Sequence, residues 1–134
     1  SNCKEKYPVR FRFMKEYVWK DGMIATSPLV GGDGVNPINV ILENNSVFTG
    51  ILGRTATLAS GAGVNMNGTT IQGNGRVSSS NGSVSGTVTF NGGEVGGTVT
   101  FNGTVNINGP VGLSLRDSAS MNNAGTINWS GGTI

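Results

Sequence analysis

From Ser46 to the last residue, short apolar groups recur between runs of Gly, Asn, Ser and Thr. They fall at Ile51, Leu58, Val64 with Met66, Ile71, Val77, Val84, Val88 with Phe90, and Val95. They continue at Val99 with Phe101, Val105 with Ile107, Val111 with Leu113, Met121, Ile127 with Trp129, and Ile134. Most gaps are about six residues. A strand of three or four residues followed by a two-residue corner gives that spacing, with successive strands on different sides of a coil. The phrase GTVTFNG occurs at 86–92 and again at 97–103, and it carries no catalytic side chain. Such a repeat builds a shape.

A longer period points the same way. Thr70-Ile71-Gln72, Thr87-Val88-Thr89 and Thr104-Val105-Asn106 follow one another at an even step, and the same step leads from Phe90 to Ile107. Three sides of about six residues make one coil, so positions 50–134 hold about five coils, or ~24 Å of rod at the spacing of strands in a sheet. On this period Ile71, Val88 and Val105 stack inside, and Thr70, Thr87 and Thr104 form a column outside. Gly and Asn suit the corners because they tolerate positive φ. Thr keeps β-propensity high on the wet side.

The texture before residue 46 differs. YPVRFRFM alternates Val9, Phe11 and Phe13 with Arg10 and Arg12, the mark of a half-buried strand. EYVWKDGMIAT predicts a hairpin turning at Asp21-Gly22, PLVGGDGVNP a loop, and INVILENN a strand with Val40 and Leu42 in step. The expected class is therefore all-β: a small β head or attachment region over 1–45 and a repetitive β-helical rod over 46–134. The rod could be a one-chain β-solenoid or an intertwined trimeric β-helix in which each chain supplies one face. Its end, SGGTI, has no amphipathic cap, so a continuation of the chain or another chain is expected to cover it.

Composition supports this class. The charged fraction is 12% and Gly numbers 23, while β-branched and aromatic residues alternate with polar ones, which argues against long helices and against disorder. The net charge of +2 hides an asymmetry, with Lys4, Lys6, Arg10, Arg12, Lys15 and Lys20 crowded at the start of the chain. These charges read as the wet side of strands, and no nucleic-acid partner is expected. Cys3 is the single cysteine, so no internal disulfide forms; SNCKEK resembles the start of a bacterial lipoprotein, which makes Cys3 a candidate lipidation site. No apolar run reaches the ~18 residues of a membrane-spanning helix.

Candidate chemistry is sparse. The chain has no His, which removes the commonest general base and the Ser-His and Cys-His pairs. No metal site or cofactor is expected. Asp33, Glu43, Glu94 and Asp117 are the acids from which a glycosidase-like pair could be drawn, as in a tailspike-type polysaccharide-degrading enzyme. The Thr70/Thr87/Thr104 column suggests an ice-binding β-solenoid, although a neighbouring column of Gln72, Thr89 and Asn106 interrupts the Thr-x-Thr array. Tyr17 and Trp19, with Tyr7 and Trp129, offer stacking platforms for a glycan if they are not core residues. The candidate surface-binding residues are thus Tyr17, Trp19, Thr70, Thr87 and Thr104.

The segment MNNAGTINWSGGTI, residues 121–134, resembles repeats of filamentous-haemagglutinin-type bacterial adhesins, which pair an Asn-rich corner with Gly-Thr-Ile strands. The likeness covers about residues 64–134. It implies an extracellular, elongated, non-enzymatic module and carries over no binding residue. A small β head on a Gly/Asn/Thr rod is equally similar to phage fibre and spike proteins. The sequence therefore leads to a structural and adhesive fibre module on a virion or bacterial surface. It would act as a stiff spacer and attachment element, as a homotrimer, with a host glycan or protein as receptor.

Overall fold

The computed structural model describes residues 16–19, 24–25, 39–53 and 55–134, with side chains from Val40 onward except those of Arg54 and Asp117. These residues form no helix. Their strands are β1 (Glu16–Trp19), β2 (Ile24–Ala25), β3 (Asn39–Leu42), β4 (Val47–Phe48), β5 (Ile51–Leu52) and β6 (Thr55–Leu58). There follow β7 (Gly63–Asn65), β8 (Thr69–Ser85), β9 (Thr87–Phe101), β10 (Thr104–Ile107), β11 (Ser114–Asn123) and β12 (Thr126–Trp129). Every pairing is parallel, and each strand lies against one from the next coil. The chain is a β-solenoid of about 5 turns.

Three faces recur in a fixed order. The first is built by β5, residues 69–73 of β8, 87–92 of β9, β10 and β12. The second holds β1, β3, β6, residues 76–79 of β8, 94–97 of β9 and 114–116 of β11. The third holds β2, β4, β7, residues 82–85 of β8, 98–101 of β9 and 120–123 of β11. One chain thus winds all three faces, which decides between the two forms of β-helix that the sequence left open.

The alternation within each strand fills the core. TVTF and TVNI at 87–90 and 104–107 bury Val and Phe or Ile and leave Thr and Asn at the surface. β-branched residues fit such a pleat because their restricted χ1 loses little on ordering. Two columns run up the inside of the first face: Leu52, Ile71, Phe90 and Ile107, and beside them Thr69, Val88 and Val105. Val40, Ala56, Val77 and Val95 make the column of the second face. Polar side chains inside are satisfied: Thr69 Oγ1 donates to the Phe48 carbonyl at 3.0 Å and Ser79 Oγ to the Leu58 carbonyl at 3.0 Å. On the last coil Leu115, Ile127 and Trp129 continue the inner columns but are 42%, 37% and 56% exposed, because no described coil stacks on them.

Asn holds the corners together. Asn67 Oδ1 accepts from the Thr87 N–H at 2.9 Å and Asn44 Oδ1 from the Gly63 N–H at 2.9 Å, each from one coil to the next. Corner amides that the ladder leaves over thereby find acceptors. Gly86 sits where two coils approach closely: its φ is +88°, and a Cβ there would fall on the Cα and Cβ of Asn67.

Three expectations change. The even step of the sequence holds only locally, as from Ser83 to Thr100 and from Thr87 to Thr104. It is one shorter from Asn39 to Thr55, four longer from Thr55 to Arg76 and five longer from Thr104 to Thr126. Corners absorb the difference. The hairpin across Asp21-Gly22 is replaced by two parallel pairings, β1 with β3 and β2 with β4, since consecutive strands of a coil belong to different faces. Finally, β1, β2 and β3 come from residues 1–45, and their pairing carries the ladder back to Glu16. Cys3, Tyr7, the strand expected around Val9–Phe13 and the loop with Asp33 lie outside the described residues.

Candidate functional site

Two surface features stand out. The first is a cleft of about 300 Å³ at the corner between the first and second faces, lined by Gly73, Asn74, Gly93, Glu94, Val111, Leu113, Ser114 and Arg116. It exists because one coil is longer there. The corner from Ile107 to Ser114 takes a longer path than the corner of the coil before, which runs from Phe90 to Glu94. The additional backbone raises Val111 as a wall above Gly92, while Gly73 and Gly93 contribute no side chains to the floor.

Charge is concentrated beside it. Arg76 and Glu94 face each other across β8 and β9, and Arg76 Nη1 donates to Glu94 Oε1 at 3.0 Å. Arg116 of β11, level with Gly96, reaches back so that its Nε stands 3.0 Å from Glu94 Oε2 in a second ion pair. Gly96 gives Arg76 its resting place, for a Cβ at 96 would meet the guanidinium. The side chains of Arg76 and Glu94 are 28% and 24% exposed and that of Arg116 is 63% exposed. Ion pairs this open add at most about 1 kcal/mol each to stability. Their main effect is local: the Glu94 carboxylate ties β8, β9 and β11 together at this corner.

The second feature is the flat outer side of the first face. Thr87, Thr104 and Thr126 form one column, and Thr70, Thr89, Asn106 and Asn128 form the next. This corrects the expected column, in which Thr70 stood below Thr87 and Thr104. Thr69 pairs with Val88 where the even step would set it beside Gly86, so Thr70 moves two places and lies level with Thr89. The second column is laced by its own side chains, Asn106 Nδ2 to Thr89 Oγ1 at 3.5 Å and Asn128 Nδ2 to Asn106 Oδ1 at 3.1 Å. Among the described residues no side-chain hydrogen bond engages the hydroxyls of Thr87, Thr104 or Thr126.

Compared with protein families, curated proteins and solved structures, the chain matches none.

The other residues singled out in the sequence fall apart. Tyr17 and Trp19 lie in β1 at register positions beside Val40 and Leu42, far along the ladder from Thr87 and Thr104, and their side chains are outside the described residues. Trp129 is exposed on the last coil, where Nε1 donates to the carbonyls of Gly131 and Gly132 at 3.1 and 3.0 Å. Of the four acids, Glu94 has both oxygens engaged by arginine, Glu43 sits at another corner, and Asp33 and the side chain of Asp117 are outside the described residues. Among the described residues no three His, Cys, Asp or Glu side chains gather as metal ligands, and no helix is long and apolar enough to cross a membrane. Sequence reasoning misses the cleft. Its available signal is the separation of Arg76 and Glu94, which a strictly even step does not bring level.

Proposed function

We propose that the chain is a non-enzymatic attachment module: a stiff β-solenoid segment that presents binding surfaces on the outside of a bacterial cell or a virion, as adhesins and phage fibres do. The observation that supports this reading is the uninterrupted parallel ladder, three faces deep, with core columns that run from coil to coil. Each coil is held to its neighbours by backbone bonds on all three sides, so the unit resists bending and positions whatever its faces carry. A homotrimer, on this architecture, is a bundle of three finished solenoids, and mass in solution tests it. The receptor would be a glycan or protein of the host surface.

Beads coated with the chain should be retained on intact host cells or immobilised surface polysaccharide, with no new reducing ends released. Release of reducing ends would replace this reading with the polysaccharide-degrading one; failure to be retained on any such surface would reduce it to a spacer.

One observation favours a second reading. The corrected register sets Thr87, Thr104 and Thr126 beside Thr70 and Thr89 on a flat face, with rungs about 4.8 Å apart and positions i and i+2 about 6.7 Å apart. Asn106 and Asn128 stand beside Thr104 and Thr126, so only the Thr87–Thr89 rung is a Thr-x-Thr pair, and the face offers part of the hydroxyl and methyl lattice that an ice-binding surface requires. An attachment module is expected to show no thermal hysteresis, and a measurable freezing-point gap, abolished by Thr104→Lys, would put ice binding first.

A further inference from the structure

We propose that Asn102 is a site of spontaneous covalent modification, where the chain's own backbone converts an asparagine to aspartate and isoaspartate. Asn-Gly pairs recur in the rod, at Asn67, Asn74, Asn81, Asn91, Asn102 and Asn108. In such a pair the glycine nitrogen can attack the Asn side-chain carbonyl carbon, because no Cβ hinders the rotation that brings it round. The attacking nitrogen loses its proton to water, a C–N bond closes a five-membered imide, and the side-chain nitrogen leaves as ammonia. Water then opens the ring at either carbonyl. One opening gives aspartate. The other gives isoaspartate, whose main chain runs through the former side chain and is one methylene longer. Either product has gained a water, lost an ammonia and acquired a negative charge.

The reaction is favoured by a glycine N–H without an acceptor beside an Asn side chain that nothing holds. The corner between β9 and β10 supplies both. Asn102 is exposed, and its side chain makes no hydrogen bond among the described residues. Its own N–H donates to the Val84 carbonyl at 2.8 Å and that of Thr104 to the Gly86 carbonyl at 3.2 Å. The Gly103 N–H between them has no acceptor among the described residues. One coil on, the Gly125 N–H is taken by Asn123 Oδ1 at 3.0 Å, and the residue level with Asn123 is Phe101, which offers no such oxygen.

The other pairs are restrained. The N–H groups of Gly68 and Gly92 donate to the Thr87 and Gly112 carbonyls at 2.8 and 2.7 Å. Gly75 and Gly82 are buried, pressed against the Leu52 carbonyl and against the side chains of Ser79 and Leu58. Asn108 Oδ1 accepts from Ser130 Oγ at 3.0 Å. Position also decides what the modification does. A Cβ at Gly103 would strike the Gly86 carbonyl, and one at Gly125 would strike the Gly103 carbonyl, so three coils stack backbone on backbone here. A methylene inserted at 102 pushes Thr104 out of step with Thr87 below and Thr126 above. Isoaspartate therefore opens the first face, whereas aspartate leaves the ladder in place.

The test is to incubate the whole chain in mildly alkaline buffer, folded and in denaturant, and to map each Asn-Gly pair by digestion, chromatography and mass spectrometry. In the folded chain Asn102 should convert about tenfold faster than Asn67 or Asn91, the factor that first breaking one hydrogen bond imposes. In denaturant that difference should collapse. S130A should speed conversion at Asn108 and leave Asn102 unchanged. N102D carries the charge without the detour and should melt with the parent, while aged chain enriched in isoaspartate at 102 should melt lower. Asn67 or Asn91 converting as fast as Asn102 in the folded chain, the same ranking persisting in denaturant, Asn108 unmoved in S130A, or the isoaspartate form melting with N102D would each overturn the proposal.

Discussion

Phe90→Ala is expected to destabilise the solenoid by about 3–5 kcal/mol, a large part of the margin that holds a domain of this size together. Phe90 is fully buried in the column Ile71–Phe90–Ile107 and meets Phe101 edge-to-face, with ring centroids 6.1 Å apart and planes at 75°. The interior is only a few side chains wide, and both neighbours in the column are pinned by the ladder, so the space left by the ring cannot close. The effect should also be local. In a stack where each coil touches only the next, amides of 69–73 and 104–107 should lose exchange protection before those of 39–42. Chemical denaturation followed by circular dichroism, with hydrogen exchange on the same samples, measures both. A loss below about 1 kcal/mol would mean that Phe90 does not stand in a closed column.

A glycine pair gives the second large effect. Gly97 has φ +66°, and a Cβ there would run into the backbone carbonyl of Ser79 on the preceding coil, an atom that cannot swing aside. Gly73 has a similar φ of +57° but open space around it. Gly73→Ala should therefore lose only the ~1–2 kcal/mol that an L-residue gives up in the left-handed region. Gly97→Ala should lose that and also open the ladder between β8 and β9, for a total about 2 kcal/mol larger or more. Melting temperatures of the two variants side by side would show it, and equal losses would contradict the close packing of the coils at that corner.

Much of this architecture was legible because a β-coil writes its geometry into local texture. TVTF, TVNI and TINW announce strands with Thr outside, and NG, GG and SG announce corners. Over positions 82–107 the coils keep an even length, so the register can be read directly, and Val88–Val105 and Phe90–Ile107 pair as the period requires. Elsewhere it cannot. Corners absorb insertions without disturbing the faces, so the longer steps from Thr69 to Val88 and from Thr104 to Thr126 leave no mark on the alternation. That is why the period alone puts Thr70 in the wrong column. Asp21-Gly22 misleads for a related reason: a tight-turn signal reports only a local reversal, whereas the partner of β1 is β3, a whole coil further on. The cleft was hidden twice, by the lengthened step that brings Arg76 to Glu94 and by the lengthened corner before Ser114, whose wall exists only once the coils are stacked.

The ladder bonds run along the axis of the stack, and this fixes how the module answers to force. A tug on a tethered particle would load the bonds beneath one coil on all three faces together, while the coils below stayed untouched. Each failure would release one turn, which across the second half of the molecule means roughly 60–75 Å of extended chain. An anchor that yields in such instalments blunts a sudden jerk and keeps the remaining coils, with any grip they carry, in place.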